Sequence, residues 1–250
     1  MKVTILGCGT SGGVPKVPEF WGACDPKNPK NKRLRASILV EKGDTSIVVD
    51  TTPDFREQML AARVKKLNAV LYTHDHADHI HGIDDLRGFF HQTRNKVPVY
   101  GDAETLSVIK HRFNYIFKSQ KGYPAICRAV TLKNSTQIGN IKAIPFVQGH
   151  GDGVSMGYRF GDIAYSTDLN RLPETAFDTL KGVKVWIVDA LRYSPHPTHS
   201  HLSQTIEWIK RVNPERAIIT HMTWDMDYDT LKNELPSGVE PAYDGMTILL

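Results

Sequence analysis

The chain has 250 residues, 40% hydrophobic and 23% charged, which excludes a disordered or low-complexity protein and suffices for one sizeable core of α/β or α+β class spanning 1–250. The formal charge of +4 is mild and the basic residues are spread along the chain, so composition does not demand a nucleic-acid partner. No run approaches the ~18 apolar residues of a membrane span, and Cys8, Cys24 and Cys127 form neither a disulfide framework nor a Cys-x-x-Cys pair, so a soluble, cytoplasmic setting is expected.

In chain order, Val3 to Leu6 reads as the first strand, starting too early for a leader peptide. Gly7-Cys8-Gly9-Thr10-Ser11-Gly12 has the letters of a dinucleotide fingerprint, but Gly13, Pro15 and Pro18 forbid the helix that must follow. A tight loop remains, either beside a site or a purely structural turn. Strands follow at Ser37 to Val40 and Ile47 to Val49, then a helix over Thr52 to Ala62 and a strand over Ala69 to Thr73.

That last strand runs straight into His74-Asp75-His76-Ala77-Asp78-His79. Imidazole nitrogen and carboxylate oxygen packed this densely behind a buried strand are costly unless a cation is present, so the run predicts a metal site; a solvated surface turn is the alternative. A helix over Asp84 to Phe90, a strand over Val97 to Tyr100 and a helix over Glu104 to Phe117 come next.

The segment Lys110 to Lys133 carries Lys110, Arg112, Lys118, Lys121, Arg128 and Lys133, no acid, and Phe113, Tyr115, Phe117 and Tyr123. Basic and aromatic residues together suggest nucleotide or RNA contact. The i, i+4 spacing of Phe113 and Phe117 fits equally an amphipathic element closing one side of the site or forming a homodimer face.

Strands at Ile141 to Val147 and Ile163 to Tyr165 are followed by isolated donors, His150 and Asp168. A helix over Pro173 to Leu180, a strand over Val183 to Val188, a helix over Ser203 to Val212 and a strand over Ala217 to Thr220 lead to His221. The chain closes with a helix over Tyr228 to Leu235, a turn at Asp244-Gly245 and a strand over Met246 to Leu250. Ala69 to His74 and Ala217 to His221 both end in Thr-His, which suggests two halves delivering ligands from equivalent strand ends.

With Asp50, His74, His76, Asp78, His79, His150, Asp168 and His221 in order, the chain resembles the metallo-β-lactamase fold superfamily over nearly its whole length. The resemblance implies a four-layer αββα sandwich and two divalent ions, Zn or Mn by the nitrogen and oxygen shell. It implies His74, His76 and His150 on one ion, Asp78, His79 and His221 on the other, and Asp168 bridging. Asp50 would orient ligands from behind, although a strand-end carboxylate capping the helix at Thr52 is an equal local reading.

Within the superfamily, Thr198-His199-Ser200-His201-Leu202 resembles the phosphodiesterase branch, especially the phosphoribosyl cyclic phosphate phosphodiesterases of carbon–phosphorus lyase pathways, with tRNA 3′-processing nucleases related. It implies hydrolysis of a small cyclic phosphate or nucleotide-like diester by a hydroxide held between the ions and hydrogen-bonded to Asp78. His199 is the candidate acid, His201 the second, and surface or helix-capping histidines the alternative for both. Arg33, Arg35, Arg87 and Arg192 are candidate phosphate contacts, Arg35 and Arg192 with His199 foremost, against solvated charge for each. One departure stands out: the branch's structural zinc needs a cysteine cluster where Trp21 to Asn28 has only Cys24, and Trp224 occupies the distant ligand's place, so no third metal is expected. RNA is a lesser partner than a small ester. The rivals are a tRNA 3′-processing endoribonuclease, a glyoxalase-like thioester hydrolase and a non-catalytic metal-binding module.

Overall fold

The computed structural model describes residues 1–120 and 122–250; Lys121 of the basic segment lies outside the described residues. The first sheet is built from β1 (Lys2–Gly7), β2 (Ser37–Lys42), β3 (Thr45–Val49), β4 (Ala69–Leu71), β5 (Val97–Gly101) and β6 (Cys127–Thr131). The second takes β7 (Thr136–Ile138), β8 (Ile141–His150), β9 (Gly153–Phe160), β10 (Ile163–Ser166), β11 (Val185–Asp189), β12 (Arg216–Thr220) and β13 (Val239–Pro241). The final strand, β14 (Thr247–Leu249), returns to the first sheet, giving the orders β14-β1-β2-β3-β4-β5-β6 and β13-β12-β11-β10-β9-β8-β7.

Strict alternation explains the layers. Ile38, Val40, Ile47, Val49, Ala69 and Leu71 point into a core shared with Phe146, Tyr158, Phe160 and Trp186 of the second sheet. The residues between them, Leu39, Val48 and Val70, pack outward on Phe55, Met59, Leu86, Phe90, Leu106 and Ile109. Strands buried on both faces read as near-continuous apolar runs, which is why they are visible in the sequence. The outer helices are α1 (Phe55–Ala61), α3 (Leu86–Thr93) and α4 (Ala103–Arg112) on one side, with short α2 (Ala77–Ile80) and α5 (Asn114–Phe117). On the other are α6 (Glu174–Leu180), α7 (Leu202–Val212) and α8 (Tyr228–Glu234), which bury Leu180, Ile209 and Leu231. No helix among the described residues is long and apolar enough to cross a membrane.

Both sheets repeat one plan: an antiparallel trio (β1-β2-β3, β8-β9-β10) continues into a parallel set (β3-β4-β5-β6, β10-β11-β12-β13). Strand β3 therefore corresponds to β10, so the residues that match across the halves are Asp50 and Asp168. The Thr-His echo links β4 with β12, which hold different places; the equivalence is real but its members differ from those the sequence suggested. Two hydrogen bonds stitch the sheets at the site, Tyr158 Oη to the Tyr72 carbonyl at 2.5 Å and Met156 N to the Thr73 carbonyl at 2.9 Å.

Four strands escaped the sequence reading: β6, β7, β9 and β13. In β9 the glycines weakened the pattern, yet Gly157 is required, because a Cβ there would sit 2.3 Å from the Phe146 ring. The helix expected over Glu104 to Phe117 breaks at Phe113 (φ −118°, ψ 42°) into α4 and α5.

Candidate metal centre

The parallel strands end at one edge: Asp50, Tyr72 to His74, Asp168 and His221 lie just past β3, β4, β10 and β12, and Asp189 is the last residue of β11. Polar groups exposed beyond carboxyl ends of parallel strands are the usual place for a ligand in such sheets. Asp50, Asp168 and His221 all have left-handed backbones (φ 66°, 54° and 59°), a conformation costing on the order of 1–3 kcal/mol in a residue other than glycine. That turn swings each side chain off its strand line into the common cleft.

The donors fall into two groups. His74, His76 and His150 form one, Asp78, His79 and His221 the other, and Asp168 belongs to both. Asp168 turns Oδ1 toward the first, 3.8 Å from His74 Nε2 and 3.9 Å from His150 Nε2. Its Oδ2 faces the second, 3.1 Å from His79 Nε2 and 3.4 Å from His221 Nε2. Asp78 Oδ2 lies 3.2 Å from His79 Nε2.

The partners behind the rings fix which nitrogen is free. His79 Nδ1 donates to Asp50 at 2.7 Å, and His150 Nδ1 to the Thr198 carbonyl at 2.8 Å. Thr73 Oγ1 gives its proton to Asp50 at 2.8 Å and so accepts from His74 Nδ1 at 3.0 Å. The Nε2 atoms of His74, His79 and His221 are buried without a hydrogen-bond partner. Unpaired buried nitrogens are expensive, and a cation at each group satisfies them. His150 Nε2 and His76 Nδ1 lie 3.3 Å apart, the separation of two ligands on one tetrahedral ion with bonds of about 2.0–2.1 Å. These donors fit divalent ions.

The two groups differ in charge. Burial holds His74 and His150 below the ordinary imidazole pKa. Burial also opposes charge on His79, but Asp168, Asp78 and Asp50 overcome it and raise that ring; His221 is pushed up to about 9 by Asp168, Asp78 and Asp189 against the same cost. Conversely Asp78 and Asp168, despite burial, are held well below the usual carboxylate range by those rings.

His199 reaches the cleft and His201 does not. His199 stacks on His221 with ring centres 4.8 Å apart, gives Nδ1 to Asp189 at 3.0 Å and aims Nε2 at Asp168 Oδ1, 3.8 Å away. His201 instead bonds Ser203 Oγ at 2.8 Å in front of α7. Neither foremost arginine is free: Arg35 holds Asp54 and the Ser11 carbonyl, and Arg192 holds the carbonyls of Ser194 and Pro195. Arg87 pairs with Asp84, and fully buried Arg33 binds the carbonyls of Thr223 and Met226 with Cys24 Sγ 3.8 Å away. In the basic segment Arg112 bonds the Asp75 carbonyl at 2.6 Å, Tyr115 bonds Asp84 and Phe113 packs edge-on against His81, while Lys110, Lys118, Arg128 and Lys133 stay exposed. The glycine loop backs the last ligand, with Met222 N on the Cys8 carbonyl at 2.9 Å.

A family model for the β-lactamase superfamily domain matches residues 45–222. The chain belongs to the β-lactamase superfamily. Its metallo-β-lactamase fold, two central sheets between helical layers, is the one the ligand order implied. A superfamily member from the PhnP family, described as a new diphosphatase, superposes with a TM-score of 0.91 and 36% identity over 100% of this chain and 97% of that one. Zn(2+)-bound PqqB from Methylobacterium extorquens superposes at 0.79 with 18% identity over 100% of both chains, a likeness of fold. An octanoyltransferase of Porphyromonas gingivalis (strain ATCC BAA-308 / W83) is 30% identical across 258 residues, covering 100% of this chain; the chain spans 52% of that relative's length.

Sequence reasoning gave no role to Asp189, which pairs with His199 and lies 3.7 Å from His221 Nδ1. Its signal was present: like Asp168 it is an acid closing an apolar run, Val185 to Val188. The Thr73 hydroxyl and Thr198 carbonyl left no such trace.

Proposed function

We propose that the protein is a dinuclear metal-dependent phosphodiesterase acting on a small phosphodiester, cyclic or nucleotide-like. The observation that carries this reading is the position of His199: its Nδ1 is held by Asp189 and its Nε2 faces the same Asp168 that joins the two donor groups. A proton donor therefore borders the volume in which both groups converge.

His74, His76 and His150 would hold one divalent ion, Zn or Mn, and Asp78, His79 and His221 the other, with Asp168 common to both; such ions supply charge neutralisation and an acidified water. Asp78 is the more open carboxylate, 14% exposed at its side chain against 3% for Asp168, so it accepts a hydrogen bond from the attacking water and aligns it. Asp50 holds His79 directly and His74 through Thr73, keeping both rings in register. His199 passes its Nε2 proton to the departing alkoxide, and Asp189 fixes the ring and steadies its charge. Three buried free thiols are compatible with a reducing cytoplasm.

A thioesterase leaves the His199–Asp189 pair without a task. The metal-replete protein is expected to hydrolyse bis(p-nitrophenyl) phosphate and to leave an octanoyl thioester and lactones intact; the opposite preference would refute the reading. Changing His199→Gln should keep the metals and slow alkyl esters by about 10²–10⁴. p-Nitrophenyl esters, whose leaving group needs no proton, should lose far less, and equal losses would remove His199 as the acid.

A further inference from the structure

A cavity of about 560 Å³ opens against the first donor group, with His74, His76, His150 and Thr198 in its lining. The same lining carries Asp75, Asp102, Glu104 and Asp152, and no lysine or arginine is among its residues. His74, only 3% exposed, lines the same cavity and has its Nε2 unpartnered, so the acidic wall and the reactive edge share one space. An acidic wall beside a centre for an anion needs an explanation, because a phosphodiester's own charge belongs at the metals.

Much of that negative charge is uncompensated. Arg112 lies 3.3 Å from Asp75 and offsets part of it. Asp102 is committed to the start of α4, taking the amides of Glu104 and Thr105 and the Thr105 hydroxyl, but those neutral donors leave its charge in place. Glu104 and Asp152 are exposed, and neither makes an ion pair among the described residues. Val154, 55% exposed, adds an apolar patch to the wall.

We infer that this cavity receives the second substituent of the phosphodiester, and that the substituent is a cationic, ammonium-bearing arm. The inference rests on the phosphodiesterase reading above. Coulomb attraction to Asp102, Glu104 and Asp152 favours a positive arm while the phosphate faces the metals, and the same field repels a further phosphate or carboxylate. The arm of a nucleic-acid strand, one charge per residue, is the worst fit. Val154 accommodates the methylene or methyl groups that such an arm carries.

The test uses the metal-replete protein and three p-nitrophenyl phosphodiesters sharing one leaving group, with arms of choline, its neutral isostere 3,3-dimethylbutanol, and 3-hydroxypropionate. Expected is a fall in kcat/KM in that order, each change of unit charge costing about three- to tenfold at low salt and less above 0.3 M. The double change Glu104→Gln, Asp152→Asn should bring the choline-to-isostere ratio down toward unity with metal content unchanged. Hydrolysis of all three at equal rates, or fastest for the anionic arm, overturns the subsite and leaves the phosphodiesterase reading standing. Failure to cleave any of the three overturns both. A wild-type ratio that the double variant does not move overturns the role given to these carboxylates.

Discussion

The two donor groups share Asp168 and are built largely of the same residue type, yet they have opposite electrostatics. In the first, neutral acceptors stand behind the rings: the Thr73 hydroxyl behind His74 and the Thr198 carbonyl behind His150. Burial keeps those rings uncharged. In the second, carboxylates stand behind them, Asp50 at 2.7 Å from His79 Nδ1 and Asp189 at 3.7 Å from His221 Nδ1, and both rings are raised. The difference teaches that the carboxylates around a histidine, Asp168 and Asp78 first and Asp50 and Asp189 behind them, decide whether a metal-free site waits as a free base or fills with protons.

The comparison breaks first at its common member. Asp168→Asn removes the charge that both groups use, so metal content should fall at both and phosphodiester hydrolysis should drop by on the order of a thousandfold or more. Loss of one ion with activity intact would mean that Asp168 belongs to a single group. Asp50→Asn is gentler and asymmetric. It cuts the direct bond to His79 but reaches His74 only through Thr73, so affinity should weaken by about 10–100-fold at the second group and less at the first. Equal weakening, read by competitive chelation, would place Asp50 behind both alike.

Protonation sharpens the same contrast. A ring raised to about 9 carries its proton throughout neutral pH, and a metal must displace it. Metal uptake at the His79–His221 group should therefore release about two protons at pH 7 and tighten as pH rises toward 9. Uptake at His74 and His150, whose pKa values burial lowers, should release fewer. Calorimetry in buffers of different ionisation enthalpy counts these protons. The smallest effect is expected from Arg112→Ala, which frees the Asp75 loop beside the first group: at half-exposed sites such a pair is worth no more than about a fivefold change in rate.

Much of this contrast was legible in the chain. Asp50, His74 to His79, His150, Asp168 and His221 each follow an apolar β run, and alternation places such run ends at one edge of a sheet. The backing groups were less visible, because a threonine hydroxyl or a carbonyl carries no spacing signal, and Asp189, although it closes an apolar run as Asp168 does, was given no role. His201 sits two residues from His199 and was grouped with it, but the turn into α7 sends it to Ser203 instead. Charge alone makes the arginines candidate phosphate contacts; in the structure Arg33 and Arg192 hold backbone carbonyls, Arg35 holds Asp54 and the Ser11 carbonyl, and Arg87 holds Asp84. Strands β6, β7, β9 and β13 were missed because they are short or interrupted by glycine and proline.

The account is tested most directly by titrating metal-free protein with zinc while recording both proton release and hydrolysis of bis(p-nitrophenyl) phosphate. It predicts two equivalents bound, more protons released with one than with the other, and hydrolysis that appears as the second is taken up. Hydrolysis complete at one equivalent, or two equivalents bound with no diester cleaved, would contradict it.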